Sequence, residues 1–116
     1  MTVEEVFCDL SNQFGEDFNW YLIPLTRSKE FFVQELKQEI GKEHFLYDKK
    51  IQAVARCASN DDVLYVAETP CGADIYYIVH LTYSENHLAG FPRYRELKNI
   101  YAVKDFMEQS LLQSYW

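Results

Sequence analysis

His80 is the residue in this chain best suited to proton chemistry. It lies in the run DIYYIVHLTY, Asp74 to Tyr83, and two carboxylates, Asp61 and Asp62, stand at the turn before the preceding apolar run. A histidine oriented by a carboxylate is the base half of many hydrolytic sites, since the carboxylate fixes the ring and stabilises its charged form. In an extended strand Tyr76 and Thr82 fall on the same side as His80 and bring hydroxyl groups with them. The pairing of Asp62 with His80 depends on the strand register, and no Ser, Cys or Thr stands in a nucleophile setting such as G-x-S-x-G. A structural histidine, hydrogen-bonded at the start of the following loop, is the simpler reading.

Other polar groupings carry less. His44, His80 and His87 match neither a helical H-x-x-x-H pair nor a zinc-ribbon spacing, so no metal and no cofactor are expected. Cys8, Cys57 and Cys71 are odd in number and contain no C-x-x-C pair. They read as reduced thiols in a cytoplasmic protein, acting as small buried hydrophobes. Arg93 and Arg95 flank Tyr94, a combination able to grip a phosphate or stack a base. In an acidic chain these arginines are expected to pair with carboxylates such as Glu85 or Glu96. The glycines, Gly15, Gly41, Gly72 and Gly90, are too dispersed for a phosphate-cradling loop.

Charge and aromatic content point another way. The formal net charge is −7 and the sequence pI about 4.8. Such a surface repels phosphate backbones and anionic lipid, which argues against nucleic-acid and membrane partners and favours a basic protein. Nine tyrosines and eight phenylalanines are more than a small core buries completely. Tyrosines rimmed by acids are typical of protein-binding surfaces. The expected contacts are Tyr76, His80, Tyr83, Glu85, Tyr94 and Glu96, at the end of the strand and along the segment after it.

The elements that must position these residues follow from periodicity. Thr2 reads as an N-cap with Glu4 and Glu5 in the first turn. Val3, Val6, Phe7, Leu10 and Phe14 then recur at helical spacing until Gly15, which predicts a helix over about Val3 to Phe14. The run Asn19 to Leu25 is aromatic and apolar but contains Pro24, so it reads as an edge strand or an ordered loop. Ser28 is the expected cap of a second helix with a stripe of Phe31, Phe32, Leu36 and Ile40, ended by Gly41. Its solvated face would hold Glu30, Glu35, Lys37 and Glu39.

After a polar connector, Ile51 to Cys57 reads as a strand, with small Ala53 and Ala55 letting a helix approach one face. Asp62 to Glu68 and Asp74 to Tyr83 flank a Pro-Cys-Gly-Ala turn and read as a hairpin. In the second of these, Ile75, Tyr77, Val79, Leu81 and Tyr83 share one face, and Tyr76, Ile78, His80 and Thr82 the other. Apolar bulk on both faces marks an interior strand covered on both sides. Ser84 to Asn99 lacks clear periodicity and reads as a long loop. Val103, Phe106, Met107 and Leu111 mark a C-terminal helix.

These elements fit one domain spanning residues 1–116, of α+β class. The expectation is an antiparallel sheet of three to four strands, with N-terminal helices and a C-terminal helix packed on at least one face. No apolar run approaches the roughly 20 residues of a membrane-spanning helix, and the acidic start is unlike a secretory signal.

Several quoted segments are familiar together. Trp20 to Leu25 (WYLIPL), His44 to Tyr47 (HFLY), Asn60 to Tyr65 (NDDVLY), Val79 to Tyr83 (VHLTY) and Phe91-Pro92 resemble small, largely uncharacterised bacterial proteins with a DDVL strand followed by a VHLT strand. The resemblance covers about Trp20 to Pro92. It implies a bacterial cytosolic origin and an α+β fold, and it supplies no catalytic residues. By analogy, small acidic bacterial proteins of this kind include immunity proteins for toxins. The first expectation is therefore a non-enzymatic acidic protein-binding domain, with an immunity-type inhibitor of a basic toxin as its sharpest form. The alternative is a small-molecule-binding or hydrolytic domain centred on His80. The oligomeric state is not legible.

Overall fold

The computed structural model describes residues 2–23, 26–40, 49–58, 62–68, 74–81 and 93–113, and of Thr26, Arg93 and Gln113 the backbone alone. The first element is helix α1, Val3–Phe14. Thr2 closes a capping box at its start: the Thr2 hydroxyl accepts from the Glu5 N–H, and the Glu5 carboxylate accepts from the Thr2 N–H. Gly15 ends it at φ 60°, a left-handed conformation in which a side chain would be strained, with its N–H donating to the Ser11 carbonyl. A single 3₁₀ turn, Gly15–Asp17, follows.

Strand β1, Trp20–Leu22, precedes helix α2, Thr26–Ile40. The helix begins two residues before Ser28, so the expected cap lies within its first turn. A hydroxyl residue ahead of an apolar stripe marks the neighbourhood of a helix start rather than its residue. Strands β2 (Ile51–Cys57), β3 (Asp62–Glu68), β4 (Asp74–His80) and β5 (Arg93–Leu97) come next, and helix α3, Ile100–Gln113, is last. Asn99 caps α3, its side-chain oxygen accepting from the Ala102 N–H.

The sheet is antiparallel throughout and has five strands in the order β1-β2-β3-β4-β5, not three or four. The strand that overturns the smaller count is β5, inside the segment read as a loop. Its sequence, RYREL, is mostly charged, as suits an outermost strand that must discourage further pairing. That charge is what conceals it from a search for apolar alternation. With β5 added, β4 is an interior strand, as the apolar bulk on both its faces predicts.

The sheet separates two cores. On one face Leu64, Ile78, Ala55 and Cys57 pack with α1 and α3 through Val6, Leu10, Val103 and Met107. On the other, Val63, Tyr65, Tyr77 and Val79 pack with α2 through Phe32, Leu36 and Ile40. Both faces are thus covered, and the β4 faces divide as the alternation implies. The β2 strand does not. A bulge between Ala53 and Ala55 shifts the register by one, so Ala53 joins the α2 side and Ala55 the α1/α3 side. The two small residues therefore serve different helices.

Glu39 also departs from expectation. It is buried rather than solvated, because it follows Leu36 by three residues and lies beside Ile40 on the stripe that faces the sheet. Among the described residues no helix is long and apolar enough to cross a membrane.

Candidate functional site

The β3–β4 register settles the first candidate. Asp62 and His80 are directly opposite each other, and Asp62 Oδ1 lies 2.8 Å from His80 Nδ1. Both positions fall in the strand alternation that carries Leu64 and Ile78, the α1/α3 side of the sheet. The Asp62 side chain is 1% exposed and that of His80 is 42% exposed, so the carboxylate sits behind an accessible ring. A buried carboxylate needs hydrogen-bond donors to offset its lost hydration, and the imidazole is one of them. Arg93 on β5 is the next residue in the row, in register with His80. Among the described residues no hydroxyl or thiol hydrogen-bonds to His80. Asp61 and Thr82, weighed with this pair, lie outside the described residues.

The second grouping is on the other side of the sheet. Tyr94 and Glu96 alternate on β5 with Arg95 between them, and both are exposed. Glu96 is in register with Tyr77, whose hydroxyl donates to Glu96 Oε1 at 3.0 Å. The Tyr77 and Tyr94 rings lie 6.4 Å apart and tilted. Burial pushes the Tyr77 phenol up to about 12, helped by its hydrogen bond to Glu96 and by the charges of Glu96 and Tyr94. Tyr77 thus stays a neutral donor and holds the carboxylate in place.

Arg95 points the other way. Its guanidinium lies 5.2 Å above the Phe106 ring on the α1/α3 side, the opposite face from Glu96. Strand alternation therefore rules out the expected local pairing of Arg95 with Glu96. Tyr76 is half-buried on that same α1/α3 side, packed against its core. Its phenol is raised by burial first and then by Asp74 and Glu4.

The sequence-derived contacts are accordingly divided. Tyr76 and His80 belong to one face, Tyr94 and Glu96 to the other, and Tyr83 and Glu85 lie outside the described residues. Tyr77 is the residue that sequence reading missed. Its signal was present in the alternation, since a tyrosine on an apolar face needs a partner for its hydroxyl. The partner strand was the unknown.

The remaining candidates are quickly placed. Cys57 is buried as expected, whereas Cys8 is exposed on α1, where the Asn12 amide donates to its sulfur at 3.8 Å. Neither is in a disulfide, and Cys71 lies outside the described residues. His44 and His87 lie outside them too, and no group of three or more metal-ligating side chains occurs among the described residues. No protein-family model, no curated protein and no solved structure matches this chain.

Proposed function

We propose that this chain is a non-enzymatic binding domain for a basic protein partner, in its sharpest form an immunity-type inhibitor of a basic bacterial toxin in the cytoplasm. One observation carries the reading: on the outermost strand, an exposed tyrosine stands beside a carboxylate that a buried phenol holds in place. A preorganised carboxylate loses little freedom when it meets an ammonium or guanidinium group, so more of the contact energy is retained. Tyr94 offers rigid aromatic area next to it, the kind of residue that anchors interfaces. The net charge of −7 favours encounter with a cationic surface over long range.

The test is retention of partner from lysate at low and high salt, by parent and by a Tyr94→Ala, Glu96→Gln double variant. A protein held at low salt by the parent, released at high salt and not held by the variant supports the reading. Equal retention by both overturns the assignment to this surface.

The Asp62–His80 contact favours a second reading, a small-molecule-binding or hydrolytic site centred on His80. It is supported by the accessible ring and its buried carboxylate. It is distinguished by a compound that raises the melting temperature of the parent but not of His80→Ala.

A further inference from the structure

We infer that Asp62 is a positioning residue that holds His80 as its Nδ1–H tautomer, so that Nε2 presents an oriented lone pair to a ligand bearing an O–H or N–H group. The inference rests on the second reading above and deepens it, by naming the acceptor atom and the ligand chemistry.

An ionised carboxylate has only acceptor sites, so in the 2.8 Å contact the ring nitrogen Nδ1 carries the proton and donates it. A neutral imidazole has one N–H, which leaves Nε2 as an acceptor. The ring is 42% exposed, and among the described residues Nε2 has no hydrogen-bond partner. The carboxylate is 1% exposed and has contacts besides His80, so it is held in place behind the ring and can orient it. The same Asp-to-Nδ1 geometry fixes the tautomer of a histidine base in hydrolases, where replacing Asp by Asn leaves the fold and reverses the tautomer.

The ligand class follows from the atom. A ketone or ether has no proton to offer Nε2. A carboxylate or phosphate gains nothing from a bare lone pair and is opposed by the charge of Asp62. A neutral hydroxyl compound or an amine satisfies it. With a hydroxyl ligand, the same lone pair is the one a general base uses.

The tautomer is read by long-range proton–nitrogen correlation on the ¹⁵N-labelled full chain, at the alkaline end of a pH series where the His80 signals no longer move. The expected result is a protonated Nδ1 and a bare Nε2 for His80 in the parent, with the reverse in Asp62→Asn. Diethyl pyrocarbonate, which acylates accessible unprotonated imidazole nitrogens, is the second probe, with modification at His80 read by peptide mass spectrometry. The parent is expected to react at Nε2 and Asp62→Asn to react several-fold more slowly. A parent with its proton on Nε2 overturns the inference, whatever the variant does and whether or not it folds. A parent with the expected tautomer that resists acylation also overturns it, since Nε2 is then not open to a ligand. Both measurements are made without a ligand, so their failure is separate from failure of the small-molecule reading, which ligand binding unaltered in His80→Ala would bring down.

Discussion

The Tyr65 hydroxyl donates to the Phe32 carbonyl at 2.7 Å, tying the central strand of the sheet to the helix above it. Tyr65 is fully buried among the residues of the α2-side core, and Phe32 belongs to the same cluster. Helix α2 follows a three-residue strand and lies across β2, so this contact fixes its depth and rotation over the sheet. Tyr65→Phe keeps the ring and removes only the donor. The expected loss is about 0.5–1.5 kcal/mol, the net worth of a hydrogen bond between neutral groups. Urea melts with an unchanged slope would report it, and a loss within the error of the fit would mean that apolar packing alone seats α2.

Removing the ring of His80 has a different cost. His80→Ala leaves the buried Asp62 carboxylate short of one donor, although other contacts of Asp62 persist. An unsatisfied buried group costs about 1–3 kcal/mol, and admission of water beside the truncated side chain favours the lower half of that range. Asp62→Asn, whose amide N–H can still hydrogen-bond a bare Nδ1 of the ring, is expected to cost less. Melts of both variants at neutral pH decide it, and a His80→Ala variant as stable as the parent would show that the pair contributes nothing to folding.

The pattern of what the sequence disclosed has a physical basis. Helix α1 was legible from cap to stop, because each end is set locally, Thr2 with Glu5 at the start and Gly15 with Ser11 at the end. The two faces of β4 were legible because alternation is local. The partners of those faces were not. Whether Asp62 meets His80, and whether Tyr77 meets Glu96, is decided by pairing between strands, and pairing is set by turns and distant segments. The bulge near Val54 shows the limit most plainly, since one extra residue sends Ala53 and Ala55 to different cores. The β5 strand stayed hidden for a related reason. Its pairing with β4 is what makes RYREL extended, and the segment's own composition argues for a charged loop.

Tyr77 gives the fold a dependence on alkaline pH. Its phenol is raised from 10.0 to about 12, mainly by burial, with the Glu96 hydrogen bond next. A folded value above the unfolded one means that the native state holds its proton longer. The contribution is therefore complete below pH 10 and is lost as pH rises from there through about 12. Tyr77→Phe lacks this dependence. Urea melts of parent and variant between about pH 9 and 11 should show the parent losing stability faster than the variant, the range being set by the ordinary tyrosine value near 10. Parallel curves would mean that Tyr77 ionises freely and does not hold Glu96 as a neutral donor.

The binding surface makes a kinetic prediction in which its two residues behave differently. Glu96 is exposed, and its charge acts on a basic partner before contact. Glu96→Gln is therefore expected to slow association, and the effect should shrink as salt shortens the screening length to about 8 Å at physiological ionic strength. Tyr94 works by covered area. Tyr94→Ala is expected to leave association nearly unchanged and to speed dissociation, at a cost of about 2 kcal/mol if it is an interface anchor. Tyr77→Phe separates the two effects from the support beneath them. It leaves both surface groups in place and removes the hydrogen bond that holds the carboxylate, so it should weaken binding without altering the salt dependence of association. Surface-binding kinetics on the captured partner at two salt concentrations measure all three. If Glu96→Gln and Tyr94→Ala both leave the rates untouched, the β5 surface is not the interface, and the face that carries His80 is where the function lies.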